Sequence, residues 1–309
     1  MTAIRNVTIL GAGAMGAAYA AMFSEAGDIA VSFVAEGERY DKLKRQGVSV
    51  NGQHYDVAMV RPDEAVQPAD LIMVALKHHH LAESLPLIDG LVADHTTILS
   101  VMNGLESEEI IGARYGMEKL VYAIAVGIDA VRDGLNFTYG NRGKILFGPT
   151  AETAGDRVER LGEVLTWAGI PNQVPEDIKR FMWWKFMINV GINQASAVLR
   201  APYGIFQNSP DARALMEMLM AEVVALAPKS GIVFTDKDMD EWGRVLASLA
   251  PHGKTSMLQD VEAGRKTEVD IFAGKVVALG EQHQVATPVN AAVLHIIKVI
   301  ERQAALPAF

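Results

Sequence analysis

Two hydrophobic rhythms divide the chain. As far as about residue 173, short β-branched runs at 6–10, 30–35, 70–76 and 97–102 alternate with stretches spaced for helices, the first of them at 17–25. Strands alternating with helical stretches predict βαβ units, and hence a parallel sheet with helices on both faces. Between residues 120 and 147 the rhythm shortens to runs at 121–126, 135–139 and 144–147, separated by turns at 132–134 and 140–143. These predict antiparallel strands that extend the same sheet, and a helix over 156–168 with a short strand near 172–174 completes the domain. The remaining residues carry helical spacing over 176–199, 210–230, 236–249, 257–263, 270–283 and 290–304. Pro175, followed by Glu176 and Asp177, starts the first of these, because proline suits the first turn and carboxylates suit the positive end of the helix dipole. The predicted class is α/β: a doubly wound sheet domain over 1–173, then an all-α C-terminal domain over 174–309.

The first strand runs into Gly11-Ala12-Gly13-Ala14-Met15-Gly16 and then into a helix. In the strand–turn–helix order this is the dinucleotide-binding fingerprint of a Rossmann-type domain: Gly11 makes the turn, Gly13 lets a pyrophosphate approach the backbone, and Gly16 lets helix and strand pack closely. The second strand ends at Glu36, 20 residues after Gly16, where such domains read the ribose. The strand over 70–76 ends at Lys77 and the strand over 97–102 at Asn103-Gly104. Ligands of doubly wound sheets sit outside the carboxyl ends of the strands, so Gly11, Glu36, Lys77 and Asn103 are predicted to share one rim.

In the helical half one stretch stands out, Phe-Met-Trp-Trp-Lys-Phe-Met-Ile-Asn-Val-Gly-Ile-Asn over 181–193. Lys185, Asn189 and Asn193 interrupt it at i, i+4 and i+8, which on an α-helix drifts by only about 40° per step and makes one polar stripe. A snorkelling lysine beside two structural asparagines would have the same pattern.

Composition removes several functions. At 309 residues two domains are expected. A formal net charge of −9 argues against nucleic acid or an anionic membrane as partner. The most apolar late stretch, 214–227, is broken by Glu217 and Glu222, so no membrane span is expected, and glycines within 7–23 argue against a signal peptide. With no cysteine, thiol chemistry is excluded and a reducing compartment, the cytoplasm, fits. His78, His79 and His80 are adjacent; helical neighbours point about 100° apart, and no acidic or cysteine partner has ligand spacing, so no metal is expected. They are read as opening a helix that runs to about residue 91.

Taken together these motifs resemble the ketopantoate reductases. The resemblance spans nearly the whole chain and rests on the glycine turn at 11–16, Leu76-Lys77, Asn103-Gly104, Lys185-x3-Asn189-x3-Asn193, and Ser256-Met-Leu-Gln-Asp260 leading to Thr267-Glu268-Val269-Asp270. Read from the residues alone, the last segment is a set of helix caps and turns. The resemblance implies that Lys185 is the general acid with Glu268 as its partner, and that Asn189, Asn193, Ser256 and Asn103 contact a 2-keto acid. It further implies that Lys77, Asn103 and Glu268 lie near the cofactor, NAD or NADP, and that the site occupies a cleft between the domains of a homodimer. Two departures bear on specificity. The family usually has an arginine at the position of Glu36, which could pair with a 2′-phosphate; the carboxylate favours NAD, although Arg39 and Lys42 stand close enough in sequence to bind a phosphate. Many members have asparagine before glycine beyond the catalytic helix, where this chain has Pro202-Tyr203-Gly204. The alternative is an NAD-dependent D-2-hydroxyacid dehydrogenase for bulkier 2-keto acids; a third reading is a dinucleotide-binding regulator without turnover.

Overall fold

The computed structural model describes residues 3–64 and 67–305. The chain divides into two compact units, Met1–Ile178 and Lys179–Phe309.

The first unit opens with β1 (Asn6–Leu10), α1 (Ala14–Glu25), β2 (Ala30–Val34) and α2 (Gly37–Gln46). Short strands β3 (Val48–Val50), β4 (Gln53–Tyr55) and β5 (Ala58–Val60) lead to β6 (Leu71–Val74), and α3 (Leu81–Ser84) to β7 (Thr97–Ser100). Next come α4 (Ser107–Tyr115), β8 (Leu120–Val126), β9 (Val131–Asp133), β10 (Asn136–Thr138), β11 (Lys144–Pro149), α5 (Arg157–Trp167) and β12 (Asn172–Gln173). Eight of the described strands form one sheet in the order β12-β11-β8-β7-β6-β1-β2-β5. From β5 to β8 every pairing is parallel, and the register aligns the carboxyl ends: Leu10 lies opposite both Val34 and Val74, and Val74 opposite Ser100. This common edge is the predicted rim. The strands read as continuous β-branched runs because both faces are covered, with β6 and β7 buried along their whole length. Helix α1, five of whose twelve residues are alanine, is buried from Gly16 to Phe23, its small side chains allowing close approach to the sheet.

Two expectations for this unit are corrected. Segment 135–139 does not extend the main sheet: β8 pairs antiparallel with β11, while β10 joins a separate four-stranded sheet, order β4-β3-β10-β9. Phe137 alone of β10 faces inward, 1% exposed between two exposed neighbours, a one-sided pattern that suits a small covering sheet better than a doubly buried strand. Nor does one helix run from the histidines to residue 91. His78–His80 is a 3-10 turn, α3 has four residues, and Leu85–Leu91 is 3-10 again. Pro86 has no N–H to continue an α-helical ladder, and the tighter turn accommodates it.

In the second unit α6 (Ile178–Ile188) passes through a π-helical turn at Asn189–Asn193 into α7 (Gln194–Leu199). The single helix expected over 176–199 is therefore interrupted at the polar stripe. It is followed by α8 (Tyr203–Asn208), α9 (Pro210–Leu226), α10 (Asp236–Ser248), α11 (Ser256–Glu262), α12 (Ala273–His283) and α13 (Pro288–Ala305). The π turn lies against α9, and Gly191 makes that approach possible: a Cβ there would stand 2.4 Å from Met220 Cγ and 3.1 Å from the Met216 carbonyl oxygen. Phe186 packs on Trp183 edge-on at 5.9 Å and on Phe272 at 6.4 Å. Helix α6 is tied to the start of α10, where Trp184 Nε1 donates to the Asp238 carbonyl at 3.2 Å and Arg180 pairs with the Asp238 carboxylate.

Candidate active site

In the first unit the candidate site is built from backbone. Gly11 has φ +112°, open to glycine and strained for other residues, and a Cβ there would lie 2.6 Å from the Ala75 carbonyl oxygen. A Cβ at Gly16 would lie 1.9 Å from the Gly11 carbonyl oxygen, so helix α1 can close on the turn only with glycine there. Gly13 differs: a Cβ would meet nothing of this chain within 4 Å. The demand for glycine at 13 therefore does not come from internal packing. Gly13 is the N-cap of α1, it has no side chain to cap with, and the first turn carries no acidic residue. The first N–H groups of α1, near Ala14, Met15 and Gly16, are thus left for an external anion, aided by the helix dipole. Such a turn fits the pyrophosphate of a dinucleotide.

Around it stand the other residues of the rim. Glu36 is exposed at the extended N-cap of α2 and makes no capping bond of its own. Arg39, in the first turn of α2, donates from Nη2 to the Ala12 carbonyl at 2.9 Å. Burial, and after it the charge of Arg132, lower the Arg39 pKa. Lys77 follows β6 as the extended residue before the His78–His80 turn, and Asn103 lies in the loop after β7; both are half-buried and engaged with other groups. Behind Asn103, Ser100 and Ser107 share a hydrogen bond of 2.8 Å, and Ser107 Oγ donates to Glu108 Oε2 at 2.8 Å. Glu108 is buried, and desolvation pushes its carboxyl up to about 7. The rings of His79 and His80 lie 4.2 Å apart, tilted by 56°, and among the described residues no group of three or more His, Cys, Asp or Glu is arranged to hold a metal.

In the second unit the candidate site is built from side chains. Lys185 and Asn189 are half-buried on α6 and the π turn, and Asn193 is 6% exposed. On an uninterrupted α-helix a residue eight positions on is turned by about 80°, whereas one seven positions on is turned by only about 20° in the opposite sense. The π turn absorbs one extra residue, so Asn193 stands where a seventh residue would. Lys185 and Asn193 are nearly in line, with Asn189 to one side. Ser256 is exposed at the first position of α11, whose N-cap Thr255 accepts from Leu258 N at 3.1 Å; α11 packs against α7 and the π turn. Glu268 is half-buried ahead of the 3-10 turn Val269–Ile271 and is engaged with other groups, as is Lys185. Thr267 anchors that turn, its N–H and Oγ1 donating to Glu301 Oε1 at 2.7 and 2.6 Å.

The glycine turn, Glu36, Lys77 and Asn103 thus lie in the first unit, and Lys185, Asn189, Asn193, Ser256 and Glu268 in the second. Reading the sequence missed Arg39's bond to the turn, as well as Gln194, Asn290 and Glu222, which form a buried network behind the π turn. The one signal of that network was a glutamine directly after Asn193 in an apolar helix.

A parallel sheet opened by a glycine turn that fits a pyrophosphate, joined in one chain to a helical unit bearing a lysine–asparagine stripe, defines a dinucleotide-dependent enzyme of the Rossmann class. The comparisons narrow that class. Residues 7–152 match the family model "Ketopantoate reductase PanE/ApbA" and residues 177–301 match "Ketopantoate reductase PanE/ApbA C terminal". The 2-dehydropantoate 2-reductase of Mesorhizobium japonicum is 29% identical over 325 residues, covering 95% of this chain and 97% of its own. Among solved structures, D-mandelate dehydrogenase with NADH and anilino(oxo)acetate superposes with a TM-score of 0.88 at 20% identity, covering 97% and 100% of the two chains. A dimeric ketopantoate reductase from Staphylococcus aureus superposes at 0.80 with 19% identity, covering 97% and 99%. The chain belongs to the ketopantoate reductase family. It is an NAD(P)-dependent oxidoreductase acting on a CH–OH group.

Proposed function

We propose that this chain is a 2-dehydropantoate 2-reductase, reducing ketopantoate to pantoate. The observation that carries the reading is the π turn at Asn189–Asn193, which brings Asn193 towards the line of Lys185, in a chain whose relative in Mesorhizobium japonicum bears that name. The reduced nicotinamide supplies the hydride that C2 of the keto acid receives. Lys185, as an ammonium, donates a hydrogen bond to the C2 carbonyl oxygen, stabilises the negative charge that grows there, and gives up the proton that completes the hydroxyl. Asn189, Asn193 and Ser256 hold the carboxylate and hydroxyl of the substrate through neutral donors, and Asn103 adds one from the rim. Glu268 keeps the Lys185 ammonium charged and aimed. Gly11, Ala12, Gly13, Ala14, Met15 and Gly16 receive the pyrophosphate, and Lys77 and Asn103 flank the nicotinamide end.

The cofactor is proposed to be NAD. Glu36 at the end of β2 accepts hydrogen bonds from ribose hydroxyls and opposes a 2′-phosphate; at about 4 Å and an effective dielectric near 20, two like charges cost about 4 kcal/mol before screening. Arg39 works in the opposite direction, but its bond to Ala12 already engages part of the guanidinium. The chain is further proposed to act as a cytoplasmic homodimer on a small 2-keto acid. The dimeric Staphylococcus aureus neighbour supports the dimer; no described helix is long and apolar enough to cross a membrane.

A second reading has its own support. D-mandelate dehydrogenase is a structural neighbour, its solved complex holds NADH, and Tyr203 packs its ring against Gly253, where a Cβ would lie 3.0 Å from Tyr203 Cδ2. On that reading the chain is an NAD-dependent D-2-hydroxyacid dehydrogenase for a bulkier acid. Steady-state kinetics with ketopantoate and with bulkier or aromatic 2-keto acids, each with NADH and NADPH, decide between them. The proposal expects the highest kcat/KM for ketopantoate; a clear maximum for an aromatic acid replaces it with the second reading. Cofactor binding without turnover of any 2-keto acid would instead establish a regulator.

A further inference from the structure

Gln194 is fully buried and directly follows the stripe. Its backbone N–H is directed to the Gly191 carbonyl, so the Val190 carbonyl loses the donor it would have in an α-helix. The side chain of the same residue replaces that donor: Gln194 Nε2 donates to Val190 O at 2.7 Å. The amide is held in this orientation from both ends. Its Oε1 accepts from Ala273 N, at the start of α12, at 2.9 Å, and its Nε2 also donates to Asn290 Oδ1 at 3.0 Å. Asn290 is oriented in turn, its Nδ2 donating to Leu219 O at 3.2 Å and to Glu222 Oε2 at 2.7 Å. Glu222 takes two further donors, Val289 N at 2.8 Å and Asn290 N at 3.0 Å, where it caps α13.

The orientation of each amide follows from its backbone partners. A backbone carbonyl only accepts and a backbone N–H only donates, so Gln194 must turn its oxygen to Ala273 N and its nitrogen to Val190 O, and Asn290 its nitrogen to Leu219 O, which leaves Asn290 Oδ1 for the second N–H of Gln194. We propose that Gln194, oriented by the Ala273 N–H and Asn290, is the positioning residue that holds the π turn open and so keeps Asn193 in line with Lys185. The inference rests on the proposed role of Asn193 as a substrate contact. Without the donor from Gln194 an α-helical turn becomes competitive at 189–193, and Asn193 rotates away from the lysine.

The test is kinetic, with Gln194→Met, which keeps the length and removes the donor, beside Asn193→Ala and the double variant. In the full-length enzyme Gln194→Met is expected to raise KM for the preferred 2-keto acid roughly tenfold or more, the scale of one hydrogen bond to a charged group. Dissociation constants for NADH and NADPH, read by quenching of protein fluorescence, are expected to stay within about twofold, since the glycine turn is untouched. If Gln194 acts through Asn193, the double variant shows the KM of the worse single variant rather than the product of the two effects. Should Gln194→Met not fold, Asn290→Ser carries the same test with a smaller expected rise in KM, because it removes one of the groups that hold the Gln194 amide in place. A substrate KM unchanged in the folded variant, or effects that multiply, overturns the inference. An unchanged KM in Asn193→Ala overturns the underlying reading instead.

Discussion

The glycine turn of the first unit and the polar stripe of the second meet the demands of binding and chemistry in opposite ways. At the turn, on the reading proposed here, function is carried by backbone: side chains are absent where they would collide with Ala75 O and Gly11 O, and at Gly13, where a pyrophosphate is proposed to approach. At the stripe, on the same reading, function is carried by side chains, and the backbone departs from the α-helix at Asn189–Asn193, where they stand. A backbone site tolerates almost no substitution but needs little support from a distance. A side-chain site can be changed residue by residue, but it depends on remote groups that hold the helix in an uncommon form.

The largest effect is expected on the side-chain site. Lys185→Ala should lower kcat by roughly 10²–10⁴ with cofactor affinity little changed, the scale of a general acid; a kcat equal to that of the wild type removes Lys185 from the mechanism. The backbone site should respond in a graded way that separates packing from binding. In Gly16→Ala the new methyl meets a carbonyl oxygen at 1.9 Å, so both thermal stability and cofactor affinity should fall, the latter on the order of 10²-fold from displacement of the turn. Gly13→Ala should leave the melting temperature within about a degree, because nothing of the chain is touched, and still weaken cofactor binding about tenfold. Equal cofactor affinity in Gly13→Ala and wild type, by titration, would place the pyrophosphate elsewhere.

At the edge of the turn, Glu36→Arg should raise the ratio of kcat/KM for NADPH over NADH at least about tenfold. A wild type that already prefers NADPH would show that Arg39, bonded to Ala12, does the reading. The smallest effect on catalysis is expected from Glu108, which sharpens the comparison by showing what burial does to a carboxyl that nothing positive holds. Its folded pKa, about 7, stands above its ordinary value of 4.5. The folded state therefore favours the protonated form; the contribution to stability is complete below about pH 4.5 and is lost as pH rises through about 7. Glu108→Gln fixes the neutral form, so its melting temperature should gain on the wild type by a few degrees between pH 5 and pH 8. A difference independent of pH would mean that Glu108 is already charged at pH 5.

Much of this was legible in advance, and what was not shares a cause. Strands β1, β2, β6 and β7, and the residues after them, could be placed because a parallel strand buried on both faces shows as an unbroken apolar run. Strand β10 was assigned to the wrong sheet because Leu135, Phe137 and Tyr139 announce a one-sided strand without naming its partner, which is β3, more than eighty residues earlier. The stripe was recognised by spacing, yet spacing assumes 3.6 residues per turn throughout.

The sequence by itself determined the glycine turn, the order of strands and helices, and the three polar residues of the stripe, because each is a matter of neighbours a few positions apart. Only the tertiary structure decided that Lys185 and Asn193 line up. On the proposal made above, that alignment draws on a donor for the Val190 carbonyl, and the amide that supplies it is turned by the Ala273 N–H, 79 residues beyond Gln194, and held by Asn290, 96 residues beyond it. A buried amide bonds in whichever direction its neighbours leave open, and those neighbours are brought together only by folding.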